Sequence, residues 1–169
     1  MIAGGKAANT GTFKVSTPSD RQILMTRFFD APRHLVFEAM TRPEHVKQWW
    51  GNLGKGYSVP VCEIDFRVGG KWRFVNRHPR GDAEFYGEYL EIDAPARLVF
   101  TEIFAQFPDT VSTVATDLIE EDGGLKTRMS VIIIYPSIDV RDMVLATGMS
   151  SGAGISYDRL EDLVVAMQL

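Results

Sequence analysis

One cysteine, Cys62, stands in a chain of 169 residues, so no internal disulfide is available and nothing in the sequence asks for an oxidising compartment. Basic surface is scarce too. The formal net charge is −4, and no run of Lys and Arg is visible. Recognition of nucleic acid needs a basic face, and so does docking on anionic lipid, so both are disfavoured as main partners. Long apolar runs are missing. Val131 to Tyr135 is strand-sized, far short of the roughly 20 residues that a membrane helix needs. Met1 to Pro18 is small and polar and reads as neither a signal peptide nor a span. The expected location is the cytoplasm. Histidines are few: His34, His45 and His78. No pair of them has metal-ligand spacing with supporting Cys or carboxylates, and His34 with Glu38 reads as a surface i,i+4 pair. No metal and no cofactor is expected. The Walker A and G-x-G-x-x-G loops are absent, no G-x-S-x-G elbow is expected, and no Ser/His/Asp arrangement is signalled.

What the chain does have is apolar and aromatic content. It is 45% hydrophobic and 11% aromatic, enough for one ordinary domain with a substantial core. Residues 1 to 20, rich in Gly, Ala, Asn, Thr and Ser, read as a flexible tail, and 21–169 as the domain. Ile23 to Phe29 reads as a strand. Asp30-Ala31-Pro32 then opens a helix, with Asp30 as cap and Leu35, Val36, Ala39 and Met40 at helical spacing. Thr41 and Pro43 begin a second short helix bearing His45, Val46, Trp49 and Trp50, broken by Gly51, Gly54 and Gly56. Strand patterns follow over Tyr57 to Phe66, Lys71 to Arg77, Glu84 to Ile92, Arg97 to Phe104, Val111 to Ile119 and Thr127 to Tyr135. Tight turns join them, at Gly69-Gly70, at His78 to Asp82 and at Glu120 to Gly124, so an antiparallel meander is expected. From Ser137 to Leu169 the period becomes helical. Val140, Met143, Val144 and Thr147, then Ile155, Leu160, Leu163, Val164 and Met167, fall close to one face. The expected fold class is α+β: about seven antiparallel strands, two short helices after the first, and a long C-terminal helix across the sheet.

Ordered motifs strengthen this reading. They are Phe29-Asp30-Ala31-Pro32 leading to Val36-Phe37-Glu38-Ala39, Thr41-Arg42-Pro43-Glu44 leading to Trp49-Trp50-Gly51, Asp65-Phe66-Arg67-Val68-Gly69-Gly70, Gly87-Glu88-Tyr89-Leu90-Glu91-Ile92, and Gly148-Met149 leading to Tyr157-Asp158-Arg159-Leu160. In order and spacing they resemble the START-like (SRPBCC, helix-grip) superfamily, and within it the activator of Hsp90 ATPase homologue group, over about residues 22 to 168. The resemblance implies the helix-grip fold. Its members bind small ligands, assist chaperones or, in remoter branches, act as enzymes. They share no catalytic signature, so no catalytic residue is assigned.

The candidate residues are therefore those of a cavity between sheet and helix. They are Trp50 at the rim, Trp72, Phe74, Tyr86, Phe104 and Tyr135 on the strands, and Met149 and Gly152 on the last helix. Each has a bland alternative in ordinary core packing, and strand alternation turns some of the aromatics outward. Trp49 is read as the anchor of the helix pair. Asp65 and Arg67 share a strand face and read as a structural pair, and Cys62 as a buried, inert thiol. Gly148, Gly152 and Gly154 cost a helix about 1 kcal/mol each, so they mark either a space for ligand or a break in the helix. The expected function is binding of a small hydrophobic or amphipathic molecule. The alternatives are a stand-alone co-chaperone-like interaction domain, an enzyme using cavity residues, and association as a homodimer.

Overall fold

The computed structural model describes residues 9–169. Eight strands form one antiparallel sheet: β1 (Lys14–Ser16), β2 (Gln22–Phe29), β3 (Ser58–Ile64), β4 (Lys71–His78), β5 (Gly81–Asp93), β6 (Arg97–Phe104), β7 (Val111–Glu121) and β8 (Lys126–Ile134). Their order across the sheet is β1-β2-β8-β7-β6-β5-β4-β3. From β3 to β8 each strand pairs with the next in sequence, as tight turns require, and β2 closes against β8 with Ile23 opposite Ile133. Alternation selects the inner face. Ile23, Met25, Arg27 and Phe29 of β2 are buried, and so are Thr127, Met129, Val131 and Ile133 of β8. Helices α1 (Arg33–Thr41) and α2 (Pro43–Trp49) follow β2, and α3 (Ile138–Ala146) and α4 (Met149–Ala166) follow β8. This is the helix-grip arrangement. Among the described residues no helix is long and apolar enough to cross a membrane.

Four expectations are corrected. Residues 1–8 of the expected tail lie outside the described residues, but the remainder of it is built into the domain. A 3-10 turn (Thr10–Thr12) leads into β1, which pairs with β2, and Phe13 packs on Tyr157 with ring centroids 5.8 Å apart. Few apolar residues are needed for this because polar side chains make the attachment. Asn9 Nδ2 donates to Glu161 Oε1 at 2.7 Å, and Thr10 Oγ1 donates to Asp158 Oδ1 at 2.8 Å. Second, the C-terminal segment is two helices rather than one. Gly148 sits at φ +78 between them, a left-handed conformation that glycine adopts without strain. Third, Ile155 faces outward at 42% exposure, while Leu160 and Val164 are fully buried. Fourth, Asp30 does not cap α1. Pro32 occupies that position, and Asp30 pairs instead with Lys126 Nζ at 3.4 Å.

Candidate ligand cavity

Between the concave sheet face and the helices the core does not close. An inner hollow of about 310 Å³ lies under α2 and α4, with Met25, Trp50, Phe100, Val131, Gly152 and Tyr157 among its walls. An outer hollow of about 570 Å³ lies under α3, against Phe104, Phe107, Tyr135, Val140, Met143 and Val144. Phe85, Glu102, Ile133 and Met149 line both, so the two hollows meet at these side chains. A smaller space of about 60 Å³ continues toward Trp72, Phe74 and Tyr89, again with Glu102 in its lining. The hollows fall in the size range of small-molecule sites and are likewise mostly apolar.

The local chemistry of each element explains the walls. Phe85 on β5 pairs with Phe74 on β4 and Phe104 on β6, and period-two alternation turns all three inward. Edge and stacked contacts then run without interruption. The centroid distances are Trp72–Phe74 4.8 Å, Trp50–Phe74 5.0 Å, Trp50–Phe85 5.3 Å, Phe85–Phe104 5.0 Å and Phe104–Phe107 5.9 Å. Trp72 lies across Gly87 and donates its indole N–H to Thr101 O at 3.1 Å. A Cβ at Gly87 would stand 1.8 Å from that same carbonyl oxygen, so only glycine admits this approach. Trp49, read as an anchor, is buried and donates to Ala39 O of α1 at 2.9 Å. The loop after α2 is fastened at the rim, where Gly51 N donates to Ser156 Oγ at 3.1 Å and Asn76 Nδ2 donates to Gly51 O at 2.6 Å.

Of the eight residues named from sequence, seven line the three connected spaces: Trp50, Trp72, Phe74, Phe104, Tyr135, Met149 and Gly152. Tyr86 does not. It pairs with Arg73 and Ile103, one step out of phase with Phe85, and sits on the opposite face beside Glu63, Lys71 and Arg73. The register that brings Phe85 in turns Tyr86 out. The outer hollow reaches the surface at its α3 end, where Phe107 and Met143 are each more than 40% exposed.

Glu102 is the residue that sequence reasoning missed. It lies on β6 in phase with Phe100 and Phe104, and that phase was the available signal: a carboxylate on the inward side of an otherwise apolar strand face. Among the described residues no hydrogen bond or ion pair holds its side chain, and no Lys, Arg or His lines any of the three spaces. Burial pushes its carboxyl up to about 7. Burial also raises the hydroxyls of Tyr135 and Tyr157, and the charge of Glu102 adds to both.

The remaining polar candidates sit elsewhere. Asp65 and Arg67 form an exposed pair at 2.9 Å. Glu38 pairs with Arg42 at 2.9 Å rather than with His34. Burial pushes the Cys62 thiol up to about 11, which keeps it inert near neutrality. The stretch Gly148-Met149-Ser150-Ser151-Gly152 spells G-x-S-x-G, but here it joins two helices rather than a strand to a helix. Ser150 faces a separate shallow groove that no histidine lines. Among the described residues no three of His, Cys, Asp and Glu come together as a metal would require.

The model of the family described as Activator of Hsp90 ATPase homolog 1-like protein matches residues 30–165. A search of the curated proteins returns no match. Among solved structures, a Rhodobacter sphaeroides protein superposes with a TM-score of 0.81 at 24% identity, over 92% of this chain and 99% of its own. A Mycobacterium smegmatis protein reaches 0.80 at 26% identity, over 91% and 98%. An HSP90 activator from Plasmodium falciparum reaches 0.54 at 23% identity, over 68% and 72%.

Proposed function

We propose that this chain, which belongs to the activator of Hsp90 ATPase homolog 1-like family, is a carrier or sensor that encloses a small, mainly apolar molecule between its sheet and its C-terminal helices. The family and fold support a ligand-binding or an Hsp90-activator-like domain in general. The observation that favours the first is the pair of hollows that meet at Glu102, Phe85 and Met149. Unfilled apolar volume lowers stability by roughly 24 cal/mol per Å³, so a packed scaffold would have reason to close it. An aromatic wall running from Trp72 to Phe107 suits a flat ring system. The single thiol and the acidic balance support a cytoplasmic location.

The test uses the purified native protein. Small molecules released on denaturation are identified by mass spectrometry, and a neutral fluorescent probe, N-phenyl-1-naphthylamine, is titrated into protein stripped of them. Saturable enhancement at micromolar probe, with a rise in melting temperature by mass action, is the expected result. Absence of both retained molecules and probe binding would remove the reading and favour protein recognition by the surface.

A further inference from the structure

We infer that the cavity selects amphipathic amines, with Glu102 receiving the ammonium group while the apolar body lies along the Trp50–Phe85–Phe104 wall. The inference rests on the container reading and names its ligand class.

The geometry carries it in three steps. First, Glu102 lies where the hollows converge, so a molecule that occupies either one comes within reach of its carboxylate. Second, the side chain has no hydrogen-bond or ion-pair partner among the described residues. A carboxylate partly buried in mostly apolar surroundings without a partner is costly, and a core that needed no polar group there would be better served by leucine. Third, among the described residues nothing in the lining answers a negative charge. The ionisable groups around Glu102 are Tyr89 on β5, Tyr135 after β8 and Tyr157 on α4, all neutral acids whose hydroxyls burial pushes upward. Helices α1, α2 and α3 contribute no ionisable lining residue. The cation beyond Tyr157, Arg27, is already engaged by Asp158 and Glu161. A ligand carboxylate therefore meets repulsion with no compensating cation. A ligand ammonium meets a charge in the lining that lacks a partner among the described residues, in a setting where charge-assisted hydrogen bonds are strong.

Ionisation of Glu102 sets the pH behaviour. With its carboxyl raised to about 7, the anion is the minor form below neutrality and the major form above it. Amine affinity rises with pH through that range, as long as the amine itself stays protonated. Affinity for an uncharged isostere does not.

Three ligands of one shape separate the terms: 2-naphthylmethylamine, 2-naphthylmethanol and 2-naphthoate, each competed against the neutral probe at pH 8. The wild type binds the amine at least tenfold more tightly than the alcohol, and the carboxylate least. Glu102→Gln brings amine and alcohol within about threefold of each other and leaves the alcohol unchanged. In the wild type the amine gains about tenfold from pH 5.5 to pH 8, a readout that needs no variant. An amine preference that survives in Glu102→Gln, a flat pH profile, or a carboxylate that binds as well as the amine overturns the inference while the container reading stands. Failure of all three ligands and the probe overturns both.

Discussion

Two acidic side chains point into the space between sheet and helices, and they are treated in opposite ways. Glu161 on α4 is fully buried and surrounded by donors. Arg27 lies 3.6 Å away, Asn9 Nδ2 donates at 2.7 Å, and the backbone N–H of Asp30 donates at 2.8 Å. Arg27 also bonds Asp158, which accepts from Thr10. Burial raises the Glu161 carboxyl, and these partners oppose the rise. Glu102, on β6, has mostly apolar walls and open volume in place of partners among the described residues. The first arrangement is a structural clasp that ties β2, α4 and the N-terminal segment together. The second is unsatisfied, which fits a group kept for something that arrives from outside. A polar group inside a fold is thus read by what surrounds it, not by its type.

The largest expected effect comes from breaking the clasp. Arg27→Met leaves Asp158 and Glu161 without their cation in a buried setting, where loss of one partner typically costs about 3–5 kcal/mol. Thermal unfolding should fall by 10 °C or more. A change under 3 °C would show that the clasp contributes little. Next in size, Phe13→Ala removes a half-buried ring from Tyr157, with an expected loss of about 1–2 kcal/mol. A neutral result in chemical denaturation would return the N-terminal segment to the status of a loose tail.

Glu102→Gln should go the other way. A carboxyl whose folded value is raised from the ordinary 4.5 to about 7 binds protons more tightly in the folded state than in the unfolded one. Its contribution to stability is therefore fully present below about pH 4.5 and is lost as pH rises through 7. At pH 8 the variant should be more stable than the wild type by about 1–2 kcal/mol, and the two should converge near pH 4. Destabilisation at pH 8 would mean that the carboxylate has a stabilising partner after all, and the contrast with Glu161 would collapse.

The strand and helix patterns made most of this fold legible in the sequence. Period-two alternation and turn residues located β2 to β8 to within a few residues, because the strands are half-buried and most are joined by short turns. The N-terminal strand was not legible. Its attachment depends on Asn9 and Thr10, polar residues whose partners lie about 150 positions away in the chain, and no local pattern records that. The break at Gly148 was legible only as one of two readings, since a glycine can spare space or turn the chain and its φ decides which. At the cavity, aromatic content pointed to the walls but not to their phase. Tyr86 and Phe85 are neighbours, and only pairing with Phe74 and Phe104 says which turns inward. Glu102 passed as an ordinary strand residue because its significance is a missing partner, and that is a property of three dimensions.

The most direct test of the central claim, that the hollow is open volume for a ligand, is Gly152→Leu measured for stability and probe binding in the same samples. A Cβ at Gly152 would meet only Leu53 Cδ1, at 3.7 Å, and the residue faces the inner hollow. The expected result is a melting temperature equal to or slightly above wild type, from about 1 kcal/mol of recovered helix propensity. The accompanying loss of N-phenyl-1-naphthylamine affinity should be at least tenfold. A variant destabilised by several degrees, beside a wild type that binds no probe, would show that the space is packed core and contradict the account.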